Sequence, residues 1–153
     1  MTDAAARILL VEDNPGDARM IRELLRELPD AAPVEHVTDL AAALEAIGAT
    51  EHRLVLTDLG LPDSDGLATA IAVIAAAPSL PVVVLTGTDD ERLALDALKA
   101  GAQDFLIKGE ITADQLRRAM RYAEGRKEVE QQARRAEEHL RAVIESFKIL
   151  DEP

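Results

Sequence analysis

Apolar and polar positions along the 153-residue chain alternate between two patterns. Short runs that are almost continuously apolar and rich in Val, Leu and Ile predict strands at "RILLVE" (7–12), "PVEHV" (33–37), "RLVLT" (53–57), "PVVVLT" (81–86) and "DFLIK" (104–108). Between them, Ala- and Leu-rich amphipathic stretches predict helices over 15–28, 39–48, 66–77 and 89–100, and a long one from about 112 onward. Strands without a polar face, alternating strictly with helices, imply a parallel sheet covered on both sides. Right-handed crossovers then give an α/β, doubly wound sandwich, and five strands suit the flavodoxin-like order 2-1-3-4-5.

Local signals mark the boundaries. Asn14-Pro15 offers a cap followed by a proline suited to the first helical position. "TDDE" (88–91) and "TADQ" (112–115) both have capping-box spacing and predict helix starts. Gly101 falls where a helix closing in a left-handed turn wants glycine.

The last helix outruns the sandwich. Val129, Ala133, Ala136, Leu140, Val143, Phe147 and Leu150 recur at alternating spacings of four and three, a heptad seam flanked by Glu, Gln and Arg. Such a stripe, lying beyond five strands, predicts pairing of two chains as a parallel homodimer. Gly125 costs that helix ~1 kcal/mol and marks an expected weak point. The expected division is a domain over 1–124 and a helical coiled-coil extension or linker over 125–153.

Composition narrows the chemistry. Hydrophobic residues make up 48% of the chain and aromatics only 2%, so the core is aliphatic. The net charge of -12 argues against nucleic acid as a partner, since phosphate backbones need a basic face. With no cysteine there is no disulfide, thiolate metal site or thiol nucleophile, and a cytoplasmic setting is expected. The start lacks a signal pattern and no apolar run is long enough to span a bilayer, so no membrane partner is expected. His36 and His52 lie near predicted strands without spaced metal partners, and His139 reads as a solvated helix histidine.

In a parallel sheet every strand points its C-terminal end to one edge, where ligands bind. The first strand brings Glu12 and Asp13 to that edge, the third Asp58, the fourth Thr86 followed by Gly87, and the fifth Lys108. Clustered carboxylates repel unless a cation sits among them. Mg²⁺ suits the set, with Mn²⁺ as a substitute, because it takes one or two carboxylates and completes its shell with water and phosphate oxygens. Asp58 can then act as a nucleophile toward phosphorus, Lys108 can pair with one phosphate oxygen, and Thr86 can donate to another. Gly60 and Gly87 leave the approach open. Asp63 and Asp65, beside Pro62 and Gly66, read as turn formers.

The stretches "ILLVEDNPGDARMIRELL", "LVLTDLGLPDSDG", "PVVVLTG" and "AGAQDFLIKG", in this order, resemble the receiver domains of bacterial two-component response regulators, the CheY-like fold. The resemblance covers residues 6 to about 124. It implies that Asp58 accepts phosphate from a sensor histidine kinase or a histidine phosphotransfer protein. It implies that Glu12, Asp13, Asp58 and the Gly60 carbonyl organise Mg²⁺, while Thr86, Gly87 and Lys108 read the phosphoryl group. It places the family's switch aromatic on Phe105, which lacks a hydroxyl and reads equally as a core phenylalanine. The family usually follows its lysine with proline, where this chain has Gly109. The end, "EEHLRAVIESFKILDEP", is similar to connectors leading into PAS or GAF modules, as in a fragment of a larger sensor protein. The resulting expectation is a signalling switch whose chemistry is confined to its own phosphorylation and dephosphorylation. Its rivals are a haloacid-dehalogenase-like phosphatase and a phosphorylation-independent dimeric interaction module.

Overall fold

The apolar runs become strands because helices cover both of their faces. The computed structural model describes residues 6–151, with side chains up to residue 148. In chain order the elements are β1 (Arg7–Val11), α1 (Pro15–Arg26), β2 (Val34–Val37), α2 (Leu40–Ala49), β3 (His52–Asp58), β4 (Gly60–Leu61), β5 (Ser64–Asp65), α3 (Leu67–Ala76), β6 (Val82–Thr86), α4 (Glu91–Ala100), β7 (Asp104–Ile107) and α5 (Ala113–Asp151). The main sheet is parallel throughout, in the order β2-β1-β3-β6-β7. With the small antiparallel β4–β5 hairpin set aside, this is the expected flavodoxin-like order.

Alternate residues of each strand feed opposite layers. Ile8, Leu10, Leu54, Leu56, Val83 and Leu85 face α1 and α5 and pack with Ile21, Leu25, Leu116 and Met120. Leu9, Val11, Val55 and Val82 face the other way, onto Ala43 and Ala46 of α2 and Val73 of α3. A third patch joins Val84 to Ala70 of α3 and Ala97 of α4. Small side chains on α2, α3 and α4 let those helices sit close to the sheet, which is why so few aromatics suffice.

Most of the expected helix ends form. Asn14 caps α1, accepting from the Asp17 N–H at 3.0 Å. Thr112 and Gln115 exchange both capping-box bonds, each at 3.1 Å. Gly101 closes α4 at φ 125°, where a Cβ would also lie 3.3 Å from Ile74. The box at "TDDE" does not form. There α4 starts at Glu91, behind Asp90, whose side chain makes no cap bond. The chain must first turn away from the sheet edge after Thr86, and the Asp90 N–H closes that turn on the Gly87 carbonyl at 3.2 Å.

Helix α5 has 39 residues and runs through Gly125 without a break. Leu116, Ala119, Met120 and Ala123 bury its first turns. Beyond them it is held at the N-terminal edge of the sheet by polar side chains. Arg53 grips the Glu124 carboxylate through two nitrogens, at 2.9 and 3.1 Å. Gln103 donates to Glu130 at 2.7 Å, and Gln131 donates to the Pro78 carbonyl at 3.1 Å. Among the described residues, no helix is long and apolar enough to cross a membrane.

Candidate functional site

Strand register determines what meets at the C-terminal edge. Val11 pairs with Thr57, so Glu12 emerges beside Asp58. Asp58 pairs with Leu85, which brings Thr86 next to it. Thr86 pairs with Ile107, and the Lys108 N–H donates to the Thr86 carbonyl at 2.7 Å. Glu12, Asp58, Thr86 and Lys108 thus converge from four strands, as the sequence placed them.

Asp58 is half-buried and held at one oxygen. Its Oδ1 accepts from the backbone N–H of Leu59 at 2.7 Å and of Gly60 at 3.3 Å. Its Oδ2 faces the Lys108 ammonium at 2.9 Å. Glu12 is fully buried, its Oε1 accepting from the Asn14 N–H at 3.1 Å and its Oε2 lying 2.7 Å from Lys108 Nζ. Burial pushes the Glu12 carboxyl up to about 7, and the Asp58 charge adds to this; the lysine and the Asn14 amide recover only part of the cost. At Lys108, burial works to lower the pKa, but bonds to Glu12 and Asp58 outweigh it and hold the ammonium above its usual range.

Glu12, Asp13 and Asp58 can each offer one oxygen with all three within 4.8 Å of one another. All three are hard oxygen donors, and Glu12 and Asp58 are wholly and partly buried while Asp13 is exposed, so the set fits Mg²⁺. Gly60 is exposed and Gly87 half-buried, and a Cβ built at either would approach only a carboxylate oxygen at 3.7 Å. The approach to Asp58 is open. The Thr86 hydroxyl is buried without a hydrogen-bond partner, a costly state for a polar group.

The sequence matches the response regulator receiver domain family over residues 8–121. The chain belongs to that family. It is 38% identical over 108 residues to the regulatory protein LuxO of Vibrio cholerae, covering 71% of this chain and 23% of LuxO. It is 31% identical over 145 residues to the C4-dicarboxylate transport transcriptional regulatory protein DctD of Rhizobium meliloti, covering 94% of this chain and 28% of DctD. The receiver therefore spans about a quarter of the length of these curated relatives. Among solved structures, it is similar to the receiver domain of the sensor histidine kinase PA1611 from Pseudomonas aeruginosa PAO1. That likeness has a TM-score of 0.67 and 28% identity over 78% of this chain and 98% of the other. That structure has a magnesium ion coordinated in its active-site cleft. A signal receiver domain of an HD domain-containing protein from Pseudomonas fluorescens Pf-5 aligns with a TM-score of 0.72 and 25% identity, over 83% of this chain and 92% of that one. The receiver is thus a domain of two-component signalling.

Other residues stand where reading along the chain did not put them. Asp17 of α1 reaches Lys108 Nζ at 3.2 Å. Asp63 does more than form a turn: its two oxygens accept from the N–H groups of Leu40 and Ala41, at 2.8 and 3.0 Å, at the start of α2. Those bonds lower the Asp63 pKa. His36 lies 2.8 Å from the Glu12 carbonyl and His52 lies 2.8 Å from Glu35, so both are structural. Lys108–Gly109 is a trans peptide, and Gly109 sits at φ 86°, which suits glycine. Phe105 is half-buried against the patch of Leu59, Ala70, Val84, Ala97 and Ala102.

Proposed function

We propose that this receiver takes phosphate on Asp58 from a sensor histidine kinase or a histidine phosphotransfer protein and uses the change as a conformational and dimerisation switch. The observation that carries the reading is the pairing of Asp58, braced by two backbone amides and an ammonium, with a buried Thr86 hydroxyl that has no partner one strand away. An oxygen of Asp58 attacks the phosphohistidine phosphorus. The P–N bond breaks, its electron pair stays on the imidazole nitrogen, and that nitrogen picks up a proton. Glu12, Asp13, Asp58 and the Gly60 carbonyl are the groups to hold Mg²⁺, which when bound neutralises charge between the acids and the phosphate. Lys108 follows the phosphoryl group and pairs with one of its oxygens. Thr86 donates its hydroxyl to another, while Gly87 lets its backbone approach.

Output follows from where those residues lie. Thr86 moving inward frees space beside β7, where Phe105 pairs with Val84 in register and serves as the aromatic that follows it. The proposed division is a receiver over 1–124 and a helical extension over 125–153, whose first turns lie along the receiver as far as Gln131. Val129, Leu140, Val143 and Phe147 are exposed, as are Ala133 and Ala136, and the Leu150 side chain lies outside the described residues. At about 100° per residue, Val129 and Ala133 point away from the face carrying Lys127 and Gln131. The seam thus lies off the face that meets the receiver, which supports a parallel homodimer formed along it. A cytoplasmic setting goes with this reading.

Incubation with a small acyl phosphate and Mg²⁺ tests the chemistry. A mass gain in the wild type that disappears in Asp58→Asn is expected, and a gain that persists in the variant refutes the site. Sedimentation with and without beryllofluoride, a phosphate mimic, tests the output. A shift in association is expected, whereas identical association in both states would leave the helix as a phosphorylation-independent scaffold.

A further inference from the structure

Lys108 is bound on three sides. Its Nζ lies 2.7 Å from Glu12 Oε2, 2.9 Å from Asp58 Oδ2 and 3.2 Å from Asp17 Oδ2. The ammonium donates to Asp58 and Asp17, while Glu12 Oε2 lies within ion-pair distance without a hydrogen bond of its own. Glu12 and Asp58 belong to the set that meets metal and phosphate. Asp17 does not, since it enters from the first turn of α1.

An acid in that position is already favourable beside the helix N-terminus and has no need of a lysine from another element. The contact spans 91 positions in sequence. It also comes from a firm support, because α1 is seated in the core by Ala18, Ile21 and Leu25. The other end of Lys108 is less constrained. Gly109 follows at φ 86°, and a Cβ built there would meet nothing within 4 Å. The backbone beyond the lysine therefore has no side chain to brace it.

We propose that Asp17 is a positioning residue for Lys108, holding one hydrogen of its ammonium on α1 while the others exchange Asp58 for the arriving phosphoryl group. This rests on the reading of Asp58 as the phosphoacceptor. Once Asp58 carries phosphorus as an acyl phosphate, its carboxylate loses its charge and its hold on the lysine. Glu12 is then shared with the metal. Asp17 keeps the ammonium at the site through that exchange, supplying from the side-chain end the constraint that Gly109 does not supply from the backbone.

The test uses the full chain and the variants Asp17→Ala and Asp17→Glu, each shown by thermal melting to be folded. The first readout is the side-chain ammonium NMR signal of Lys108, assigned by its loss in Lys108→Arg, in metal-free protein. In the wild type this signal is expected to be slow to exchange with water; Asp17→Ala should speed its exchange at least fivefold, and Asp17→Glu should restore it. The second is the rate of phosphorylation by acetyl phosphate at saturating Mg²⁺, expected to fall three- to tenfold in Asp17→Ala and to recover in Asp17→Glu. Mg²⁺ affinity should stay within twofold. An Asp17→Ala rate equal to that of the wild type overturns the proposal, as does an unmoved ammonium signal. If the wild type takes no phosphate, the reading of Asp58 fails by itself, and the ammonium signal alone decides whether Asp17 positions Lys108.

Discussion

The two edges of one sheet handle buried polarity in opposite ways. At the N-terminal edge, Arg53 meets Glu124, Gln103 meets Glu130, Gln131 meets a carbonyl and His52 meets Glu35. Each charge there has an opposite partner, although His52 Nδ1 is buried without a hydrogen bond, and the result is a helix fastened to the domain. At the C-terminal edge, Lys108 faces three carboxylates, Glu12 is pushed toward neutrality and the Thr86 hydroxyl has no partner. The first edge stabilises, while the second holds an electrostatic imbalance that a divalent cation and a phosphoryl group would relieve together. Each edge leaves a buried polar atom unpartnered, so what separates them is charge balance: charges paired at the first, three carboxylates to one ammonium at the second.

Removing the cation shared by the acids should break this contrast most severely. Lys108→Ala leaves Glu12 and Asp58 facing each other in a largely buried setting. With a chelator present at neutral pH, urea unfolding should show a loss of about 3 kcal/mol, the lower end for a broken buried pair because water reaches part of the site. Adding Mg²⁺ should return much of that loss. A variant as stable as the wild type, with or without metal, would mean that the imbalance is absent.

Next in size is the carboxyl that burial pushes up. Burial raises the Glu12 carboxyl to about 7 in the folded protein from an ordinary value of 4.5. Between those values the folded state holds more protons than the unfolded state, so this group makes stability fall as pH rises through that window. Glu12→Gln removes the dependence. In chelator above the window, the variant should be more stable than the wild type by about 2 kcal/mol, short of the full linkage value because part of the site is wet. The gap should close as pH falls below the window. Parallel stability–pH curves for the two proteins would contradict the assignment.

What could be read along the chain follows the same division. Glu12, Asp58, Thr86 and Lys108 were legible because each ends an apolar run, and a parallel sheet sends all such ends to one place. Asp17 was not, since an acid three positions after a cap is already explained by the helix terminus. Asp63 was not, since aspartate in a Pro-Asp turn is already explained by the turn. The Arg53–Glu124 pair was not, because no local pattern ties an arginine near a strand start to a glutamate 71 positions later. The capping box at 88–91 was misleading for the converse reason: the spacing is local, but the need to leave the sheet edge after Thr86 is tertiary.

The matched edge gives a smaller effect with a different signature. Glu124→Gln keeps the shape and removes one charge from a two-point contact that is about one-third exposed on the glutamate side. It should cost about 1 kcal/mol at low salt, less at high salt, with no change in Mg²⁺ affinity or in phosphorylation by acetyl phosphate. Denaturation at two ionic strengths, with a metal titration alongside, checks this. A change in metal binding would show that the two edges are coupled through the sheet instead of being independent.

The smallest effect tests how locally the acidic edge is fixed. Asp63 ties the hairpin after Asp58 to the first two amides of α2, and Thr69 ties it on the other side, donating to the Leu59 carbonyl at 3.1 Å and so accepting from the Ser64 hydroxyl at 2.7 Å. Asp63→Ala should leave global stability nearly unchanged, because Asp39 still caps α2 through the Ala42 N–H at 2.7 Å. Its mark should be faster hydrogen exchange at the Leu40 and Ala41 amides, whose partner is lost. The Leu59 amide, bonded to Asp58 itself, should keep its protection. If Leu59 loosens as well, the hairpin depends on α2 for its placement, and the imbalance at Asp58 is held by the fold at longer range than the strand ends alone.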